Sequence, residues 1–410
     1  PAGKRPTYAL WYDTALDQWV TSTAFGSKFP AWAAPIADSR AVATARATPW
    51  EPTDAAWLAT NAATKDDAPG EGDLDGMGIT FPHRATTPNA FRALPATDAI
   101  IAQLGLAAIS AEYRASRATL VLLSFSASDV VGHVFGPDSW EAWDQLRKLD
   151  RVIGDFLAAL ESRVGAVNVI LAADHGNVSM PEAQAARDRI PACRIKEGTR
   201  GADPFERPCV AGHRIGPRAA SVGLQAAAEK ALGPGAWILG VADPYVHLTP
   251  AARALSPDKR ATLDRAIREW FAKQPAVDEV IDVRTFGETC RSVLGRARDA
   301  PLRALPDEPK SALLCRSWAP GDGQGDYYVT TKPGSTWDGE IVEGKGTSHG
   351  TYYLYDRTVP LLVRAAGDAE AGLVIEDPVD FSAYAAIEAH LVGLDPRSVP
   401  EILRALTAHR

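Results

Sequence analysis

Three short segments bring carboxylates and imidazoles close together. The first is Ser124-Phe-Ser-Ala-Ser-Asp129-Val-Val-Gly-His133-Val-Phe-Gly-Pro137. Asp129 and His133 are four positions apart, so one helical turn would put both on the same face. Gly132 and Gly136 would let the backbone come close to whatever those side chains hold. The second segment is Leu171-Ala-Ala-Asp174-His175-Gly176, and the third is Gly346-Thr-Ser-His349-Gly350, followed by Tyr355-Asp356-Arg-Thr-Val-Pro360. Each alone has an ordinary explanation: a polar loop, a helix N-cap Asp beside an incidental His, and a tight exposed turn. Together they point to metal chemistry. Asp and neutral imidazole are ligands that Zn²⁺ takes in catalytic sites, typically three from the protein with one position left open. Asp129, His133 and His349 make one such set, and Asp174 with His175 makes most of a second. Two such ions about 3.5–4 Å apart clamp a phosphoryl group, one activating the nucleophile and the other stabilising the leaving oxygen.

Such side chains need rigid elements to hold them. Ala118 to Phe125 is a continuous apolar run, which predicts a strand buried on both faces and ending just before the Asp129 segment. Val167 to Ala173 is a second such strand, ending at Asp174, and open α/β sheets place ligands at strand carboxyl ends. Between them, Asp138-x-x-Glu141 predicts a capping box, followed by apolar residues at helical period from Leu146 to Leu160. Strand, helix, strand predicts a right-handed parallel crossover. A helix is expected over Asp98 to Arg114 with Thr97 as N-cap. Short strands are expected at Tyr8–Tyr12, Trp19–Thr23, Tyr245–Leu248, Val280–Val283, Tyr327–Thr331 and Val359–Val363, and a late helix at Tyr384–Val392. The loop from Asp66 to Gly76 holds Glu71, Asp73 and Asp75 at alternate positions. Pro82 stands where an EF-hand needs Glu, so a solvated acidic loop is expected there. His83, His213, His247, His390 and His409 are scattered and read as structural or surface residues.

The chain has 410 residues, 46% apolar and 23% charged, which excludes a disordered or fibrous protein and allows a large core. Its 43 Lys and Arg against 51 Asp and Glu give −8 without a basic block, so duplex nucleic acid is not an expected partner. The strongest apolar stretch is too short to span a bilayer. The chain opens at Pro1 without Met and without a signal peptide, as a processed protein or a piece of a longer one would. Cys193, Cys209, Cys290 and Cys315 allow three connectivities; Cys193–Cys209 and Cys290–Cys315 are expected if the protein is exported.

The order S-x-S-D-x-x-G-H-x-x-G-P, L-x-A-D-H-G, then G-T-x-H-G with Y-D-x-x-V-P resembles the alkaline phosphatase superfamily. It is most similar to the branch of periplasmic phosphate-irrepressible alkaline phosphatases and the type I phosphodiesterase and nucleotide pyrophosphatase group. Leu10-Trp11-Tyr12-Asp13, Trp19-Val-Thr-Ser, Phe29-Pro-Ala-Trp32 and Phe81-Pro-His83 extend the resemblance along most of the chain. It implies an α/β fold: a mostly parallel sheet flanked by helices, formed by residues 1–179 and 341–410, with residues 180–340 inserted as an α+β cap. It also implies two Zn²⁺, the first bound by Asp129, His133 and His349 and the second by Asp174 and His175. The family's further metal-binding Asp, its Thr nucleophile and a phosphate-touching Lys-x-Arg pair would lie upstream of Pro1, as would the first core strand. The implied activity is zinc-dependent hydrolysis of small phosphate monoesters in the bacterial periplasm or outside the cell. The alternatives are a phosphodiesterase or nucleotide pyrophosphatase of the same superfamily, or a catalytically silent metal- or phosphate-binding fragment. Oligomeric state is left open.

Overall fold

The computed structural model describes residues 6–26, 28–188, 212–297, 310–316, 324–339, 341–366 and 383–393, together with Val374 and Val379. The chain forms two compact units, Pro1–Val167 and Asn168–Arg410.

In the first unit, Trp11–Asp13 and Gln18–Val20 pair as an antiparallel hairpin inside or beside the two expected strand tracts. The helix expected from Asp98 starts earlier and spans Pro95–Glu112. Pro95 occupies a first-turn position, where its fixed φ suits helix and its missing N–H costs nothing. Thr97 is therefore inside the helix, and its hydroxyl donates to the Phe91 and Leu94 carbonyls at 2.8 and 2.7 Å. The next long helix, Trp140–Val164, is capped by Ser139, whose Oγ accepts from the Ala142 N–H at 3.0 Å. The expected Asp138/Glu141 box does not form, because Glu141 is turned inward onto His83.

Residues 118–125 pair in no ladder among the described residues, which corrects the expected strand. Their side chains still alternate. Val121, Leu123 and Phe125 pack on Ala102, Ile109, Phe156 and Leu160 of the two long helices. Leu120 and Leu122 are 60% and 57% exposed, so the run is covered on one face and not on both. The acidic loop is likewise corrected. Asp73 and Asp75 are exposed, but Glu71 is buried to 3% exposure.

In the second unit, Val169–Ala172 pairs antiparallel with Leu361–Arg364, and Ala386 and Ile387 of the Ala383–Leu391 helix pack against Ile170 and Leu361. The predicted parallel crossover is not drawn by any ladder of the described residues, whose one parallel pair joins Arg214–Ile215 to Thr336–Trp337. The tract expected as an insert has its own four-stranded antiparallel sheet, in the order Ile238–Ala242, Tyr245–Leu248, Tyr327–Thr331, Val277–Asp282. The Pro217–Leu232 and Pro257–Phe271 helices bury Leu224, Leu263, Ile267 and Phe271 against Val246, Leu248 and Tyr327 of this sheet. Each such side chain contributes about 1.5–3 kcal/mol of transfer free energy. Cys290 and Cys315 form a disulfide with Cα atoms 5.0 Å apart, as expected from their spacing. The Cys193–Cys209 pairing lies outside the described residues. No helix of the described residues is long and apolar enough to cross a membrane.

Candidate functional site

The Ala127–Phe135 helix carries Asp129 in its first turn and His133 in its last. Val130, Val131, Val134 and Phe135 anchor it in the first unit, and Gly136 ends it at φ 84°, a conformation that favours glycine. The helical turn does what the four-residue spacing implies: His133 Nε2 lies 3.5 Å from Asp129 Oδ1. The Asp129 side chain is 41% exposed, while that of His133 is mostly buried.

In the second unit, Asp174 and His175 follow the Val169–Ala172 strand directly. His175 Nε2 lies 3.7 Å from Asp174 Oδ1, and the Asp174 side chain is 89% exposed. The His175 ring stacks on that of His349, with centroids 3.4 Å apart and planes at 16°. Their ligand nitrogens come within 4.8 Å of each other.

The loops bearing these two histidines share one support. The Gly176 N–H donates to the Asp356 carbonyl at 2.6 Å, and a Cβ on Gly176 would meet the Tyr355 carbonyl oxygen at 2.0 Å. Only glycine allows that approach. On the other side, Asp356 Oδ2 accepts from both the N–H and the hydroxyl of Thr351, two residues after His349. Asp356 is buried in the Leu354–Arg357 turn, and burial pushes its carboxyl up to about 6 against the pull of the Thr351 bonds. Arg214 adds a further tie, donating Nε to the Gly346 carbonyl at 2.8 Å while forming a bidentate pair with Glu182. The four-stranded sheet also reaches the His349 loop: Asp243, Tyr328, Trp337, His349, Thr351 and Tyr352 border one narrow cleft. Burial, followed by the Asp356 charge, raises Asp243 to about 7.

The donor set fits zinc. Two ligands on a tetrahedral ion at 2.0–2.1 Å are separated by about 3.3 Å, close to the Asp129–His133 spacing. The imidazoles of His133, His175 and His349 are nitrogen donors of the kind that ion takes.

The sequence pattern of the type I phosphodiesterase / nucleotide pyrophosphatase family matches residues 8–283. The chain belongs to this family. It is 30% identical over 190 residues to alkaline phosphatase PafA of Elizabethkingia meningoseptica, covering 43% of this chain and 34% of that protein. It is 27% identical over 205 residues to alkaline phosphatase PhoV of Synechococcus elongatus, covering 48% of this chain and 37% of the relative. The matches thus span little more than a third of either relative. A crystal structure of wild-type PafA superposes with a TM-score of 0.74, over 96% of this chain and 69% of that one, at 22% identity. The fold is alkaline-phosphatase-like, as the three motifs implied.

Within this phosphodiesterase-family frame, two residues have places in the site that the sequence motifs do not mark. Asp356 was visible as part of Tyr355-Asp356, but only its burial and its bonds reveal the support it gives. Asp243 sits in an Asp-Pro turn between two strands, where sequence gives a turn signal and nothing more.

Proposed function

We propose that this chain is part of a zinc-dependent phosphoric-ester hydrolase, a phosphate monoesterase of the alkaline phosphatase type, whose zinc ligands are Asp129, His133, Asp174, His175 and His349. The observation that carries the reading is the Asp129–His133 pair at 3.5 Å on one helical face, at the spacing of two zinc ligands. Bound zinc would polarise phosphoryl oxygens and lower the pKa of an attacking or leaving oxygen toward neutrality. The chain's own part is preorganisation. The Ala127–Phe135 helix fixes two donors without loop entropy, and Asp356 holds the His175 and His349 loops in register. Outer partners of that sort keep ligands oriented when the metal leaves and returns. The attacking Thr and the second site's remaining Asp are proposed to come from residues ahead of Pro1. Residues 180–340 are proposed as a cap over the His349 side of the molecule. Small phosphate esters are the proposed substrates, and bacterial periplasm or secretion the proposed location; the Cys290–Cys315 disulfide suits an oxidising compartment.

The family's own description favours a second reading, a phosphodiesterase or nucleotide pyrophosphatase. Both are tested by one set of assays on the protein that contains this chain. Hydrolysis of aryl phosphate monoesters well above that of aryl diesters is expected, and the reverse preference would select the second reading. His349→Ala should lower bound zinc, measured by elemental analysis, and slow alkyl monoesters more than aryl ones. An alkyl leaving oxygen carries more charge in the transition state. Undiminished zinc content in that variant would overturn the ligand assignment.

A further inference from the structure

A second group of acidic side chains lies in the first unit, and none of its members is among the residues assigned to zinc. Glu71 is only 3% exposed, and neither of its carboxylate oxygens has a hydrogen-bond partner among the described residues. Glu141, in the first turn of the Trp140–Val164 helix, is wholly buried. Its Oε1 lies 2.9 Å from Nε2 of the equally buried His83, while its Oε2 has no partner among the described residues. The backbone holds both in place. Glu71 N–H donates to the Ala68 carbonyl at 3.2 Å, and Gly72 N–H to the Val134 carbonyl at 2.9 Å. His83 is held by a reciprocal backbone pair with Trp50, and its Nδ1 lies 3.3 Å from the Met77 carbonyl.

Burial is the main influence that raises the Glu71 carboxyl, to about 10, and the charges acting on it are those of Glu141, Asp66 and Asp67. All three are negative. Leaving a carboxylate buried without a partner costs several kcal/mol. A proton on Glu71 does not remove that cost, because its hydroxyl would find no acceptor among the described residues. Two acids that share a proton sit in hydrogen-bond contact, and these two do not. Gly72 is bonded to the Val134 carbonyl, and the ring of the next residue, Phe135, lies 5.0 Å from that of His83, which holds Glu141. The two carboxylates thus sit on neighbouring segments without touching, an arrangement that suits ligands on a common cation. No group of three carboxylates or imidazoles forms here among the described residues, so backbone carbonyls and water would complete the shell. That is the all-oxygen coordination of calcium, with six to eight ligands at about 2.3–2.6 Å, and not a tetrahedral zinc site.

We propose that Glu71 and Glu141 jointly bind a hard divalent cation, calcium by preference, which fastens the Asp66–Gly76 loop to the start of the Trp140–Val164 helix. His83 is the positioning residue that fixes the Glu141 carboxylate.

The test uses the purified protein that contains this chain, stripped with chelator and resaturated with zinc, so that the zinc-ligand residues are not free to respond to calcium. Equilibrium dialysis with radioactive calcium should find one tightly held ion per chain, and calcium should raise the thermal unfolding midpoint by several degrees. Terbium, as a calcium probe, should show luminescence sensitised by Trp50, whose ring lies 5.4 Å from that of His83, and calcium should displace it. Glu71→Gln should abolish all three responses, whereas Asp129→Asn and His349→Ala should keep them. Absence of bound calcium in the unaltered chain would overturn the proposal, whatever the fate of the variants. Loss of the calcium response in Asp129→Asn would also overturn it, by placing the ion at the zinc-ligand residues. Failure of the zinc assignment would leave these readouts unchanged.

Discussion

At the scale of single residues, buried acids fix how this protein responds to pH. Asp98 lies in the Pro95–Glu112 helix, accepting from Gln145 Nε2 at 2.7 Å and from the Ala127 N–H at 3.4 Å. Burial outweighs those bonds and pushes its carboxyl up to about 7. In the unfolded chain the group titrates near 3.9, so the folded state binds its proton more tightly. Its contribution to stability is therefore fully present below about pH 4 and is lost as pH rises through about 7, by up to about 1.4 kcal/mol per pH unit. Asp98→Asn, which cannot ionise, should flatten that fall. Gln145 Oε1 has no partner among the described residues, and turning the Gln145 amide over would present it to the new NH₂ group. Urea unfolding at pH 4, 5.5, 7 and 8.5 checks this. An unchanged slope between pH 4 and 7 would show that another group carries it. Because Asp98 bonds the first residue of the helix that bears Asp129, the same titration bears on how firmly that pair is held.

At the scale of elements, one covalent tie has a calculable weight. The Cys290–Cys315 bond joins the Val283–Ala297 and Lys310–Arg316 helices across 25 positions of sequence. Closing a loop of that length in the unfolded chain is worth about 3.5 kcal/mol. The Cys290→Ser/Cys315→Ser double substitution should lower the unfolding free energy of the second unit by about that much, read from denaturant melts. Equal stability with and without the bond would mean that the reduced chain already holds the two helices together. This spacing was legible in sequence, as were Tyr245–Leu248, Tyr327–Thr331 and the Asp129/His133 turn, because each rests on local periodicity or a fixed offset. Helix starts were misplaced where neighbouring polar groups competed: Ser139 took the cap expected of Asp138. The roles of Asp356 and Glu71 were not legible at all. Both depend on partners or their lack, set by folding far along the chain: Asp356 reaches back to Gly176, and the segment of Glu71 is tied through Gly72 to Val134. Strand pairing was misread for a related reason. An apolar run states that a segment will be covered, but not by which neighbour or on how many faces.

At the scale of the molecule, two extended stretches of the described residues expose apolar side chains. Leu120 and Leu122 project from the outer side of residues 118–125, while Val121 and Leu123 are held against the helices behind. In the second unit, Leu171, Leu362 and Val363 are also exposed along the Val169–Ala172 and Leu361–Arg364 pair. Extended apolar segments with unpaired backbone groups are templates for association between chains, and scattered surface leucines are not. The net charge of −8 opposes association at low ionic strength, but screening shortens its reach to about 8 Å at physiological salt. Self-association of this chain should therefore rise with added salt. Leu120→Thr/Leu122→Thr should suppress it, because threonine keeps strand propensity while removing the apolar face. The inner residues Val121, Leu123 and Phe125 are untouched by this change, so the helical circular dichroism and the unfolding midpoint should stay within the small range of surface substitutions, about 0.5 kcal/mol. Light scattering against concentration at two salt levels separates the possibilities. If the double variant associates as strongly as the parent chain, then the exposed leucines of 118–125 are not the contact, and the Leu171, Leu362 and Val363 surface becomes the next to alter.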